Sequence, residues 1–526
     1  MQASLTDRVR EGVSVSALSV ALTQALALAR SVVLARLLAP SDFGLFGMAL
    51  TVTGALAVLT SFGLDTALVA RDFQDERELS LHLDTVWTAE IVRKALLAFL
   101  LVAAAYPTAR FYGSAELMTV LCALAIAPVI QSFQNIGLLR HQKRVEFRRL
   151  VLLEQLTNVV STVAAVSLAL WTRDVWALVW TQLISAAASV ALSYALDSYR
   201  PRPRFDRDAL RQALGFGKWM FVVVLTAYVT TTADNVVVGR MLGAAALGVY
   251  VMAYNLASLP VEAVARTIGG VLFPAYVEAG ARAGDGKLRD GDGQFRDDQL
   301  RNDGAPTRDA DARLEGALAR AFTTTTALLT VVTVLLVLLA DDAVRLLYGA
   351  KWAGAAPVLR VLAVVCFSRG LLQTLAPFVV SARGPRPEAR AKLFESALFL
   401  AMLYPLTRAY GLTGAAWAGA CVYAIALVVR LWLVRLCAPR ALGGLVRTLL
   451  RSLAAGAFGI VAGSLASTLA ASTLARMLAV GLASTATVLL LLLSSQPQLR
   501  AEASGFGAWL LGQLPTRERR LRRHAD

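Results

Sequence analysis

Apolar runs close to 20 residues long recur from one end of this 526-residue chain to the other. A helix needs about 20 such residues to cross ~30 Å of hydrocarbon. In that medium every backbone polar group must also be satisfied within the protein. These runs predict an all-α polytopic membrane protein. Spans are expected at 13–35, 44–66, 86–106, 115–137, 150–171, 175–196, 216–238, 245–268, 319–340, 356–380, 393–407, 412–433, 449–470 and 473–494, fourteen transmembrane helices in all. Hydrophobic residues make up 57% of the chain, well above a soluble domain.

The spans come in two sets. Asp234–Leu256 repeats Arg30–Thr53 at an offset of 204, which puts Arg36 on Arg240, Leu38 on Leu242, Gly44 on Gly248, Phe46 on Tyr250 and Met48 on Met252. Phe111-Tyr112-Gly113 returns as Leu347-Tyr348-Gly349, and Leu152-Leu153-Glu154 as Leu393-Phe394-Glu395. Six predicted spans precede the second copy, so both copies enter the membrane from the same side. That is a parallel repeat, with a pseudo-twofold axis along the membrane normal. It predicts an N-lobe over 1–200 with six helices. A C-lobe begins at 201–276 and is completed by 319–440. The two extra C-terminal helices lie at 441–498. Between 277 and 318 the chain is rich in Gly, Asp and Arg and is expected to be a disordered cytoplasmic loop. Residues 499–526 form a basic tail. The first run follows Arg8 and Arg10 as a signal peptide would, but its cleavage would leave one lobe a helix short.

The basic residues take sides. Of 52 Lys and Arg, 36 lie in or at the mouths of the segments on the N-terminal side, against 8 in the loops opposite. This positive-inside bias predicts that both termini are cytoplasmic. It also accounts for the net charge of +16 without nucleic acid.

Catalytic chemistry is not legible. The four cysteines have neither metal nor disulfide spacing, and the three histidines are scattered. No cofactor and no metal are expected. Asp290-Gly291-Asp292 and Asp309-Ala310-Asp311 match a metal-binding Asp-x-Asp pattern, but the surrounding segment has almost no apolar residues to fold a site. They read as chance carboxylates. No phosphate-cradling Walker loop is present. The loops opposite the termini are short, the longest being 341–355, which argues against a polysaccharide polymerase or ligase. The chain is expected not to be an enzyme.

Charges within the spans carry the functional signal, since each costs at least ~2.5–3.5 kcal/mol to insert. The candidates for lining a substrate cavity are Arg30, Glu90, Arg93, Lys94, Asp234, Asn235, Arg266 and Arg369. Asp234 holds the repeat position of Arg30. Blander roles compete: Arg93 and Lys94 can snorkel, and Glu262 can pair with Arg266 one turn on. A surplus of Arg and Lys over acids favours an anionic substrate, such as a phosphate-bearing lipid head group.

Arg30–Met48, Phe133-Gln134-Asn135 with Leu139-Arg140, Asp234–Leu256 and Leu347–Val364 together resemble the polysaccharide transporter family. These are lipid-linked oligosaccharide and O-antigen flippases of the multidrug/oligosaccharidyl-lipid/polysaccharide exporter superfamily. The resemblance covers about residues 10–435. It implies two six-helix lobes around a central cavity. It also implies export of undecaprenyl-diphosphate-linked repeat units across the bacterial inner membrane, for exopolysaccharide, capsule or lipopolysaccharide biosynthesis. Cavity basic residues would meet the diphosphate, and Arg30 is the position that best fits that role. Membrane lipids, a polymerase and glycosyltransferases are the implied partners. A cation-coupled drug antiporter of the same superfamily would share the topology.

Overall fold

The computed structural model describes residues 22–61, 76–143, 147–206, 224–259, 261–262, 308–383, 385–468 and 473–496. Every regular element among them is helical. Helix α1 covers 22–37. Helix α2, Pro40–Thr60, starts where Pro40 fixes φ at a position whose N–H has no helical acceptor. The Asp42 carboxylate then accepts the Ala39 N–H at 2.8 Å, closing the turn between the two helices.

Helix α3 runs Glu76–Tyr112 and is followed by α4, Ala115–Leu124, and α5, Ile126–Ser132. The predicted span at 115–137 thus breaks near Ala125, where Pro128 removes an N–H from the ladder. Helices α6 (Leu138–Lys143), α7 (Phe147–Trp171) and α8 (Trp176–Leu196) follow. Helix α9, Val224–Leu259, comes next. The remaining elements are α10 (Arg308–Leu338), α11 (Ala340–Leu347), α12 (Ala355–Arg383), α13 (Pro385–Cys437), α14 (Pro439–Thr468) and α15 (Thr473–Ser495). Helix α10 begins inside the stretch expected to be disordered. Its run DADARLEGALARAF is dense in Ala, Leu, Arg and Glu, which favour helix.

Among the described residues, ten helices are long and apolar enough to cross a membrane. Two of them are hairpins. In α9, the Tyr250 hydroxyl donates to Asp234 at 2.8 Å. Sixteen residues of straight helix would separate these groups by ~24 Å. The chain reverses at Gly243, whose φ of +86° suits glycine. In α13, Arg430 meets Glu388 at 2.9 Å, 42 residues away. The reversal there is at Gly411, with φ 60° and ψ −137°. Both glycines stand where the sequence predicts one span to end and the next to begin.

The chain forms two compact units. The first is Met1–Leu259, Asp341–Val365 and Ala389–Ala424; the second is Pro260–Ala340, Cys366–Glu388 and Ile425–Asp526. Within the first, Leu34 of α1 and Leu38 just past its end pack with Ala165, Ala169, Ala177 and Leu178 of α7 and α8. Within the second, α14 turns Ala455, Gly456, Gly459 and Gly463 inward. A Cβ on Gly456 would reach Thr330 of α10 at 3.2 Å, and one on Gly463 would reach Ser484 of α15 at 3.3 Å. Such small residues let helix backbones approach closely where lipid supplies no hydrophobic drive.

Candidate functional site

Within the first unit, α1 and the segment after α11 hold each other by their ends. The Arg36 guanidinium donates to the carbonyls of Leu346 and Leu347, the last of α11. In return, the Lys351 ammonium donates to the carbonyls of Arg36 (3.0 Å) and Leu38 (2.6 Å) at the end of α1. The Trp352 indole donates to Ala35 O at 2.8 Å. Carbonyls at a helix C-terminus have no partner within the helix and carry its negative dipole end, so cations belong there. Here each helix is capped by a cation from the other's end. Trp352 is fully buried and meets Phe43 edge-on, ring centroids 5.3 Å apart.

The internal repeat maps this clasp onto a second contact. Arg240 is the repeat equivalent of Arg36, and Phe111 of Leu347. The Arg240 guanidinium lies over the Phe111 ring, 5.4 Å from its centroid. A Cβ on Gly239 would reach the Tyr112 ring at 3.1 Å, while Tyr348, the equivalent of Tyr112, lies 3.4 Å from the Ser31 hydroxyl. Between the two contacts, α2 crosses the second arm of α9. There is no room for a Cβ on Gly44 against the Ala244 carbonyl, or on Gly248 against the Pro40 carbonyl. Gly44 and Gly248 are repeat partners, as are Pro40 and Ala244. The contact is therefore isologous: what the first half does to the second, the second does to the first.

The charges predicted within spans find separate partners. Arg30 is half-buried and donates through Nη1 to Ser161 Oγ of α7 at 3.0 Å. Asp234 is buried, accepting from Tyr250 and from the Asn235 N–H at 2.9 Å. Asn235 itself is half-buried. The repeat-related pair Arg30 and Asp234 thus each sit in a local hydrogen-bond set. Glu90 and Arg93 form a bidentate pair at 2.8 and 2.6 Å. Lys94 lies 4.0 Å from the same carboxylate and donates to Gln131 O at 3.1 Å. This trio carries one net positive charge with 13–18% of each side chain exposed. Arg369 is half-buried and belongs to the second unit. Arg266 lies outside the described residues, as does Asp290-Gly291-Asp292.

Arg430 was missed by sequence reasoning. It lies within the predicted span 412–433, is 2% exposed and pairs with Glu388. Its in-span position was the available signal. The reversal at Gly411 that delivers Glu388 to it could not be read from spacing alone.

Residues 33–285 match the family described as polysaccharide biosynthesis protein. The match takes in a little under half of the chain. The family match begins in α1 and takes in the first hairpin, its repeat and the isologous crossing. Succinoglycan biosynthesis transport protein ExoT of Rhizobium meliloti (strain 1021) is 29% identical over 379 residues, 72% of this chain and 69% of that protein. Lipopolysaccharide biosynthesis protein WzxC of Escherichia coli (strain K12) is 23% identical over 404 residues, 76% of this chain and 75% of that one. Among solved structures, the inward closed conformation of the lipid II flippase MurJ aligns with a TM-score of 0.71 at 14% identity, covering 92% of this chain and 98% of that one. An inward-facing multidrug resistance MATE family transporter of the MOP superfamily aligns with a TM-score of 0.59 at 17% identity, covering 82% and 95%. The chain therefore has the fold that these two structures share.

Proposed function

We propose that this protein is a flippase. It moves oligosaccharide repeat units, linked to undecaprenyl diphosphate, across the bacterial inner membrane for surface polysaccharide synthesis. The family match carries the reading, and the relatives named for succinoglycan transport and lipopolysaccharide biosynthesis support it. The in-span charges agree with it. Arg30, Arg93 and Lys94 outnumber Glu90 and Asp234 within the first unit, and Asp234 is taken up by Tyr250. A guanidinium fork suits a diphosphate geometrically as well as electrically.

In this reading fourteen spans form two lobes, both termini are cytoplasmic, and the prenyl tail stays in lipid while the head group passes between lobes. On the same reading, the clasp of Arg36, Lys351 and Trp352 and the Gly44/Gly248 crossing would lie on the side opposite the termini and close it in this state. Transport requires that closure to alternate with closure on the cytoplasmic side. The chain does no covalent chemistry; a polymerase and glycosyltransferases act before and after it. The test is Arg30→Ala, with reconstituted head-group flipping and surface polysaccharide as readouts. A loss of at least tenfold at normal protein level is expected. Unchanged flipping would remove Arg30 from the pathway.

The second reading, a cation-coupled drug antiporter, draws on the multidrug transporter that shares the fold. Export of cationic dyes by the purified protein would favour it. The surplus of in-span cations opposes it.

A further inference from the structure

Between α8 and the residues preceding α9, the chain Asp197–Asp206 (DSYRPRPRFD) leaves the helix in extended conformation at Asp197 and is pinned along α3 outside any regular element. The Arg140 guanidinium pairs with buried Asp197 at 3.2 Å and stacks over the Tyr199 ring, 4.4 Å from its centroid. The Asn135 amide donates to the Asp197 and Tyr199 carbonyls at 3.3 and 2.8 Å. The Tyr199 hydroxyl donates to Asp84 at 2.6 Å. Next, the Arg202 N–H donates to Asp84 at 3.1 Å and the Arg204 N–H to Thr88 at 3.0 Å. Asp84 and Thr88 are one turn apart, so the strap advances ~6 Å along α3 as it goes. Its advance is toward the membrane, because the apolar run of α3 begins at 86.

Helix α8 supports this level independently. Its 21 residues span ~31 Å, the thickness of the hydrocarbon, so its end at Leu196 lies at the bilayer boundary. The strap therefore lies at head-group depth. Arg200, Arg202 and Arg204 are all exposed there, Arg200 held in place by donating through Nη1 to the Asp197 and Tyr199 carbonyls at 2.8 and 3.0 Å, and Phe205 is 64% exposed beside them. The Arg202 and Arg204 N–H groups both turn toward α3, the alternation of extended chain, in which every second residue shares a side and stands ~6.6 Å from the next. Pro201 and Pro203 fix the intervening φ angles, so the backbone carrying the three arginines has little left to order on binding. Asp84 and Asp197 are already engaged by the strap's own hydrogen bonds, and Asp206 is the remaining acid in the stretch.

We infer that the Arg-Pro-Arg-Pro-Arg-Phe strap is a docking surface for the head groups of anionic phospholipids. Three phosphate-seeking charges at head-group depth, next to an exposed aromatic ring, match that partner. Soluble anions would gain nothing from the ring or the depth. Basic residues near an anionic surface each strengthen attachment measurably. The inference is independent of what the protein transports.

The experiment measures binding of a fluorescent phosphatidylglycerol to the full chain in detergent, beside a phosphatidylcholine control. Wild type is expected to prefer phosphatidylglycerol. The R200Q/R202Q/R204Q variant should bind it about 100-fold more weakly, while R200K/R202K/R204K should stay within a few-fold of wild type. Tyr199→Phe keeps every arginine but releases an anchor, and should weaken binding severalfold. Thermal unfolding distinguishes these effects from misfolding: the Gln variant should unfold within a few degrees of wild type. Equal binding of the two lipids, an unaffected Gln variant, or full competition by inorganic diphosphate would each overturn the inference.

Discussion

Gly44→Ala probes the isologous crossing directly. The new methyl would fall on the Ala244 carbonyl, which is backbone and cannot swing aside. The two helices must then part by on the order of 1 Å. A gap of 0.5–1 Å already forfeits about a quarter to a half of each dispersion contact along the seam. The neighbouring contacts exposed to that loss are Gly47 against Leu247 and Val251, and Gly239 against Met48. Overpacking of this kind costs about 1–3 kcal/mol. Because Gly248 meets Pro40 as Gly44 meets Ala244, Gly248→Ala should cost a similar amount. The double variant should cost less than the sum, since helices already parted by one methyl have room for the other. Unfolding in detergent, followed by denaturant or heat, supplies all three values, with flipping measured alongside. Strictly additive losses, or one glycine tolerant and the other not, would refute the symmetry argument.

Three further outcomes follow from the described contacts. Arg36→Ala removes the cap on α11 and should destabilise the protein by about 1–2 kcal/mol. Arg36→Gln should recover part of that, and a double-mutant cycle with Lys351→Ala should show coupling. Tyr250→Phe installs the residue that the first half carries at Phe46, but strips buried Asp234 of its hydroxyl donor. Unfolding measurements should show a loss of about 1–3 kcal/mol, and Asp234→Asn in the same background should return some of it. Burial, and then the hydrogen bond to Asp84, raise the Tyr199 pKa above its usual value near 10. A raised folded-state pKa means that its contribution is complete below pH ~10 and fades as pH climbs through the raised value. In the ultraviolet phenolate titration, the difference between wild type and Tyr199→Phe should report one tyrosine ionising late.

Much of this fold is legible because hydrocarbon leaves a chain few options. Runs of 20 apolar residues must be helices, and the gap between the predicted spans at 238 and 245 brackets Gly243, where α9 reverses. The Glu90–Arg93 pair was equally readable, since a spacing of three fixes one helical face. What escaped depends on contacts between distant segments. Lys351 looked like an isolated loop cation, and only the folded chain shows it capping α1 more than 310 residues away. The role of Asp234 changed for a similar reason: its repeat relation to Arg30 was visible, whereas its bond to Tyr250 needed the hairpin to close. The strap at 197–206 was readable only as one more basic loop, because its hydrogen bonds run through backbone N–H groups that no residue pattern announces.

The crossing of Gly44 and Gly248 has the form of a homodimer contact written into a single polypeptide. A face that complements its own repeat copy can also complement itself in a second molecule. A half-length chain carrying only the first hairpin would thus pair with its twin through these surfaces. Joining the halves removes the translational and rotational cost of finding a partner. It also frees each half to change alone, so that arginine at 30 and aspartate at 234 can coexist, which no symmetric pair of identical chains allows.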